Sequence, residues 1–374
     1  MQIQDHIETP TKQAFLLRPY QQRAVEWAML SHSGLIIAPA GCGKTAIASA
    51  IIKQAAVKFP TVSFGWLAPT RETCQQATKA LIAAGVDASR VEVRCPHESV
   101  DFSKKAVLIV DEAKHAPAVT WSRIIESCPG SIFGFDATPW CDDPERNAIL
   151  RNLFRNNQYE IRRDELAGVL AHANIYMHSA TDLNLQQKID DQIERLFTDR
   201  KRYMRVSQPI LRAMCAWEAL TEIGICGNRA RNDMAIMMAA SSGPKSPTLV
   251  LVPRVTLGMH YMVSLSGSVL VHSKMPKKFR REAMEEFKAG NIQTMIATSL
   301  ADEGLDLPNV HTLVMVSGGR SAQKTIQRAS RALRRAPGKD TAIIHDFKDT
   351  FHPLALAHSK KRVKCYKELG CSIP

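Results

Sequence analysis

The sequence is short of three things. No two of its nine cysteines are spaced Cys-x-x-Cys, and nine is an odd number. This argues against a zinc ribbon and against a disulfide framework, and it fits a reducing, cytosol-like compartment. Long apolar runs are also missing. The most apolar stretch, Thr248 to Val271, is broken by Pro253, Arg254 and His260, whereas a membrane span needs roughly 20 apolar residues. No membrane partner is expected, and the start of the chain, with Asp5 and Glu8 and no apolar core, is unlike a signal peptide. Acidic residues, finally, are outnumbered: 36 Asp and Glu stand against 49 Lys and Arg, a net charge of +13. A surplus of that size suits a polyanionic partner, because fixed Lys and Arg displace the counterions condensed on phosphates. A protein that is basic without such a partner stays the alternative.

What is present is enough for more than one core. Of 374 residues, 45% are apolar and 23% charged, an ordinary globular balance. Short apolar runs alternate with helical patterns, the signature of a parallel sheet covered by helices. Gly34–Ala38, Val62–Ala68, Ala106–Val110 and Ser131–Phe135 read as strands, with helices over Thr45–Val57 and Glu72–Ala84. From about Asp142 to Ala240 the pattern reads as helical throughout. Leu185, Ile189, Ile193, Leu196 and Phe197 fall at helical spacing, as do Ile210, Leu211, Met214, Trp217 and Leu220. Ser241–Pro247 has the composition of a linker. Strand rhythm resumes at Thr248–Val252 and continues at Ser268–Val271, Thr294–Ala297, Thr312–Val316 and Thr341–His345; Leu354–Leu369 reads as one basic helix. The expected fold class is α/β, with two parallel-sheet lobes and a helical insertion between them. The expected boundaries are 1–140, 141–247, 248–350 and 351–374.

Ala38-Pro-Ala-Gly-Cys-Gly-Lys-Thr45 lies between a strand and a helix. A glycine-rich turn in that setting offers backbone N–H groups to phosphate oxygens, and the helix N-terminus adds its positive end. Ala40, Gly41, Cys42 and Gly43 would line the phosphates of ATP. Lys44 would reach the β- and γ-phosphates, and Thr45 the Mg2+ ion. Ala38 stands where the strict pattern has glycine. The apolar run Val107–Val110 ends in Asp111 and Glu112. Such a pair is often a solvated turn; after a phosphate loop it is a candidate for metal binding by Asp111, largely through water, and for general-base work by Glu112.

With Lys114 and His115 following, the segment Asp111-Glu-Ala-Lys-His115 resembles the DExH motif of superfamily 2 helicases, in the branch of XPB- and UvsW-type enzymes. The resemblance runs along nearly the whole chain. Leu17-Arg-Pro-Tyr-Gln-Gln22 is similar to that branch's adenine-reading segment, which implies nucleotide contacts for Arg18 and Gln21. Gly134-Phe-Asp-Ala-Thr-Pro139 resembles motif III, with Asp136 a departure at its first position. Met295–Pro308 looks like motif V, which places Gly304 and Asp306 at the nucleotide. Gln327-Arg-Ala-Ser-Arg-Ala-Leu-Arg334 looks like motif VI. There Arg331 and Arg334 would be arginine fingers worth ~10³–10⁵ in rate, and Gln327 would position water. A solvated basic face including Arg328 is the bland alternative.

The implied fold is a pair of RecA-like lobes, and the implied activity is ATP-dependent translocation or unwinding. The partner would be nucleic acid, DNA in preference to RNA, single-stranded or branched, with the protein a monomer on its track. Replication, recombination or repair in a cytoplasm, a host's if the chain is phage-encoded, is the expected setting. On the track, Thr70 and Arg71 resemble motif Ia and Arg254 motif IV. His272, Lys274, Thr298 and Ser299 end further strands, where hydroxyls and cations suit phosphate contacts. Asp199-Arg-Lys-Arg-Tyr-Met-Arg205 is either a clamp on the strand or a solvated helix end. Two rivals remain: a translocase that remodels or anneals branched DNA, and a nucleic-acid scaffold without ATPase activity. The intact set of Lys44, Asp111, Glu112 and Arg334 speaks against the second, and no carboxylate–lysine cluster points to a nuclease.

Overall fold

Fully apolar strands need cover on both faces, and the chain builds two six-stranded parallel sheets of such strands. The computed structural model describes residues 16–374 except 40, 167–168, 170, 181, 183, 243–245, 299–309, 320, 333–338 and 340; of 322–324, 327 and 331 it describes the backbone alone. The chain divides into two compact units, 1–165 and 166–374.

Unit 1 runs α1 (Pro19–Ser31), β1 (Gly34–Ile37), α2 (Lys44–Lys58), β2 (Ser63–Leu67), α3 (Arg71–Ala83), β3 (Val91–Arg94) and β4 (Lys105–Asp111), then α4 (Val119–Glu126), β5 (Ser131–Asp136), α5 (Pro144–Leu153) and β6 (Gln158–Glu160). The sheet order is β3-β2-β4-β5-β1-β6. Leu35, Leu67, Leu108 and Val110 join Trp121, Ile125 and Phe154 in one core. Because β4, β5 and β1 are parallel neighbours, their carboxyl ends lie side by side, and the segments that follow them share one edge.

Unit 2 begins with β7 (His172–His178), α6 (Leu185–Arg200), α7 (Gln208–Ala219), a π-helical turn (Leu220–Cys226) and α8 (Arg229–Ser241). It continues through β8 (Thr248–Leu251), α9 (Val255–Ser264), β9 (Ser268–Val271), α10 (Lys277–Ala289), β10 (Thr294–Ala297), β11 (Thr312–Met315), α11 (Ala322–Ala332), β12 (Thr341–Phe347) and α12 (Pro353–Glu368). The order is β7-β12-β11-β8-β10-β9. Alternation sends Leu249 and Leu251 to one face with residues of α10, α11 and α12, and Val250 and Val252 to the other with residues of α6 to α9. At Gly224 in the π turn, a Cβ would come within 2.2 Å of the Phe351 ring, so only glycine lets the turn sit this close to the segment after β12.

Two expectations are corrected. The stretch 142–240 is not helical throughout, and it is not a separate insertion. Its β6 extends the first sheet and its β7 the second, while α6 to α8 cover one face of the second sheet. The helix α12 is likewise part of the core of unit 2, through Cys365 and Tyr366. No helix among the described residues is long and apolar enough to cross a membrane.

Candidate nucleotide and nucleic-acid sites

The loop after β1 closes with two glycines in the left-handed region, Gly41 at φ 87° and Gly43 at φ 85°. Gly43 caps α2, its carbonyl accepting from the Ala46 and Ile47 N–H at 2.9 and 3.1 Å, and the amides of Lys44 and Thr45 ahead of them have no intrahelical acceptor. The loop is braced from α1. Tyr20 Oη donates to the Cys42 carbonyl at 2.9 Å and Gln21 Nε2 donates to the same oxygen at 2.8 Å. Gln21 Oε1 accepts from the Arg18 backbone N–H at 2.9 Å. A Cβ on Gly43 would lie 2.5 Å from Gln21 Nε2. The structure thus commits both ends of the Gln21 amide to the protein. Tyr20 is a site residue that sequence reading missed; one aromatic on an amphipathic helix carries no signal of this contact. Ala40 lies outside the described residues.

Lys44 Nζ donates to the Ala38 carbonyl at 3.3 Å. Asp111 ends β4, and its Oδ1 accepts from the Glu112 N–H at 3.0 Å. Burial, reinforced by the neighbouring Glu112 carboxylate, pushes Asp111 up to about 6 despite the Lys44 cation. Glu112 has φ 52°, a left-handed conformation that a side-chain-bearing residue adopts at a cost. Burial works to raise its pKa, but Lys114 and Lys44 outweigh that and hold it below the ordinary glutamate value. Lys114 forms an ion pair with Glu112.

Asp136, the departure in the motif-III-like segment, has a structural reason. It is 1% exposed. Its Oδ2 accepts from the Lys114 N–H and its Oδ1 from the Thr138 N–H, both at 2.9 Å. One buried carboxylate therefore ties the turn after β4 to the turn after β5. Chemically, this edge offers N–H donors and one lysine for phosphate, and two carboxylates for a metal ion and a water.

Thr70 caps α3, its Oγ1 accepting from the Thr73 N–H at 3.2 Å, and Arg71 pairs with Glu98 at 3.3 Å. In unit 2, the neighbours β8, β10 and β9 bring Arg254, Thr298 and the pair His272 and Lys274 to one carboxyl edge. Arg254 is exposed and bonded to Glu222 of the π turn at 2.6 Å. Lys274 is exposed, and His272 Nδ1 has no hydrogen-bond partner among the described residues. Thr298 is buried at that edge, its N–H on the Val271 carbonyl at 3.3 Å. Ser299, Gly304, Asp306 and Arg334 lie outside the described residues, as do the side chains of Gln327 and Arg331.

Arg328 is half-buried and turned inward. Its Nη1 donates to Ser317 Oγ at 2.8 Å, so this arginine is not part of a solvated face. Behind that turn lies a charge network the sequence did not announce. Arg231 Nε donates to Asp349 at 2.8 Å and its Nη1 to the Val316 carbonyl at 2.9 Å. Arg362 donates to both oxygens of Asp346, at 2.8 and 3.1 Å, and to the Gly319 carbonyl at 3.0 Å. The Tyr366 hydroxyl donates to Asp346 at 2.7 Å.

Comparison with known proteins agrees with this geometry. Residues 16–131 match the AAA domain family and residues 232–336 the Helicase conserved C-terminal domain family. The two matched families imply ATP binding. A helicase-named protein of Sulfolobus islandicus filamentous virus (isolate Iceland/Hveragerdi) is 27% identical over 250 residues, 64% of this chain and 42% of the relative. This chain thus spans under half of that relative's length. The DNA 3'-5' translocase XPB2 of Sulfurisphaera tokodaii is 22% identical over 352 residues, 85% of this chain and 79% of the relative. Among solved structures, S. cerevisiae Dbp5 bound to RNA and ADP BeF3 matches with a TM-score of 0.58 at 15% identity, covering 95% of this chain and 89% of that one. At that identity the likeness concerns the fold, two RecA-like α/β units.

Proposed function

We propose that the chain is a superfamily 2 helicase of the XPB-like branch, a nucleic-acid-stimulated ATPase that translocates along or unwinds DNA. The observation that carries this reading is the shared carboxyl edge of β1, β4 and β5, where Lys44 stands near two crowded carboxylates. A carboxyl group pushed up to about 6 by burial and a like charge is stabilised by a divalent cation, and oxygen donors such as Asp111 and Thr45 suit Mg2+. The ion, when bound, neutralises charge on the β- and γ-phosphates.

In this reading the loop amides and Lys44 hold the triphosphate. Glu112 accepts a proton from the attacking water. Its ion pair with Lys114 keeps it ionised in the resting site. Tyr20 and Gln21 brace the loop from behind, and Gln21 reaches the adenine edge only by giving up bonds it makes here. Arg331 and Arg334 act on the transferred phosphoryl group, with Gln327 at the water and Gly304 and Asp306 at the nucleotide, as the resemblance implies. Arg71, Arg254, His272 and Lys274 supply phosphate contacts for the strand. DNA is preferred over RNA because a relative matched over most of its length is named a DNA translocase.

The test is ATP hydrolysis by the full chain alone and with single-stranded DNA, duplex DNA, forked DNA and RNA. Stimulation by DNA is expected, larger than by RNA. Hydrolysis that no nucleic acid changes overturns the reading. Strand displacement on forked against four-way substrates then separates unwinding from remodelling.

A further inference from the structure

The helix α7 presents its apolar residues on two sides. One side is core: Leu211, Cys215 and Ala219 are buried. The other carries Ile210, Met214 and Trp217, which are 56%, 43% and 38% exposed. Their spacing places them in one stripe. Val206 and Tyr203, 41% and 69% exposed, prolong it beyond the start of the helix. An ordinary solvent face would be charged at these positions.

Charge around the stripe is unbalanced. Lys201, Arg202 and Arg205 are exposed and have no carboxylate partner among the described residues, and Asp199 is the one acid in the run Asp199–Arg205. Other acids on this arm are taken: Glu218 by Arg200 at 2.8 Å, Glu222 by Arg254, and Glu194 by Arg212. The stripe also has a definite origin. The Trp217 ring sits 3.7 Å from where a Cβ on Gly319 would be, just past β11. Together with the Glu222–Arg254 bond past β8, this anchors the stripe at the carboxyl edge that carries Arg254, His272 and Lys274.

Aromatic and apolar faces interleaved with unpaired cations suit a chain that has flat bases on one side and phosphates on the other. Protein interface cores are depleted of Lys but enriched in Arg and aromatics, so what favours a nucleic-acid strand over a protein partner here is the continuity of the stripe with the edge that carries Arg254, His272 and Lys274. We propose that the surface from Tyr203 to Trp217 is a stacking platform for single-stranded nucleic acid, with Arg202 and Arg205 on its phosphates. This rests on the nucleic-acid reading of the chain and extends the strand's path outward from unit 2. From Ile210 to Trp217 the helix rises about 10 Å, room for about three bases at about 3.4 Å each.

Fluorescence anisotropy of labelled oligothymidylate and of an abasic strand of equal length tests the proposal. Trp217→Ala weakens oligothymidylate binding about tenfold, as loss of one stacked base does, and leaves abasic binding within about twofold. Tyr203→Ala, at a far more exposed position, gives the same selectivity. Arg202→Ala with Arg205→Ala flattens the slope of log affinity against log salt by about 1.4, for two lost contacts on a single strand. Equal losses on both strands, or no loss, overturn the platform. So does a dimer in sedimentation that Trp217→Ala dissolves, which reassigns the stripe to a protein contact. If the unaltered chain binds no strand at all, the parent reading fails; if every variant binds as the unaltered chain does, the platform alone fails.

Discussion

Asp346 and Arg362 in unit 2 sit at 0% and 1% exposure and satisfy each other through two hydrogen bonds, with Tyr366 adding a third to Asp346. Burial works against the Arg362 charge, but Asp346 outweighs it and raises its pKa. Asp111 and Glu112 in unit 1 use the same kinds of groups in the opposite way. Two carboxylates share one strand end, and one of them is pushed up to about 6. In unit 2 the Asp346–Arg362–Tyr366 set is paired within itself, while Arg231 Nη2 beside it is buried with no hydrogen-bond partner among the described residues; the two guanidiniums also reach the carbonyls of Val316 and Gly319 on the turn before α11. In unit 1 the Asp111 carboxyl is left crowded by burial and by Glu112, and we propose that a cation completes it. Compensated burial marks architecture, and uncompensated charge marks a place where a ligand belongs.

The comparison breaks first at Glu112. Glu112→Gln lowers turnover by ~10²–10⁴, the ordinary worth of a general base, while nucleotide binding persists. Because the change removes a like charge beside Asp111, the unfolding midpoint stays level or rises. Near-normal turnover sinks the general-base assignment, and a large loss of stability sinks the contrast with unit 2.

The mirror experiment belongs to Arg362. Arg362→Met leaves Asp346 buried without its cation and costs about 3–5 kcal/mol of stability. Pairing it with Asp346→Leu recovers most of the loss in denaturant unfolding, since an apolar pair replaces an ionic one. A single variant as stable as the parent means the network is not compensated in the way its geometry indicates.

Arg334 sharpens the division of labour. It lies far from Lys44 in sequence, and its role comes from the resemblance alone. Arg334→Ala is expected to leave nucleotide affinity within a few-fold and to lower turnover by at least ~10²-fold, toward the range for lost arginine fingers. Nucleotide-free DNA binding stays nearly constant. Normal hydrolysis with lost DNA binding moves motif VI to the track.

Legibility in the sequence followed burial. Val107–Val110 is apolar without a break because β4 is covered on both faces, and it reads as a strand at once. The strands that escaped notice are at or near sheet edges: Val91–Arg94, Gln158–Glu160 and His172–His178. Their open sides mix polar and apolar residues, and over the three or four residues of the first two a period of two cannot be told from one of 3.6. The glycine loop before α2 and the acidic pair at the end of β4 were legible as local patterns, because each is a run of fixed residue types at fixed spacing. Tyr20, Asp136 and Arg231 were not, because their partners, the Cys42 carbonyl, the Lys114 amide and Asp349, are set by tertiary approach. On α7 the spacing of Ile210, Met214 and Trp217 marked a stripe correctly, but periodicity does not say which of two apolar sides faces inward.

The smallest expected effect concerns acid. His345 Nδ1 and His178 Nε2 share a hydrogen bond of 3.0 Å across the edge pair β7 and β12. Burial lowers the pKa of both rings, and His178 helps bring His345 down to about 4. Asp346 acts the other way on His178. A histidine whose folded pKa lies below its unfolded value contributes fully above the unfolded value, and that contribution is lost as pH falls toward the folded one. Arg362 and Tyr366 in the paired network are shifted further from neutrality, so acid sensitivity of unit 2 between about 6.5 and 4 should trace to the histidines that burial depresses, this pair foremost and His311 with it. Both rings keep some solvent, so screening reduces the effect to about 1 kcal/mol, a fall of about 2–4 °C in melting temperature for a unit of this size. His345→Gln should remove most of that slope in melts between pH 7 and 4.5. A variant whose slope matches the parent's would show that this histidine pair does not govern the acid limb.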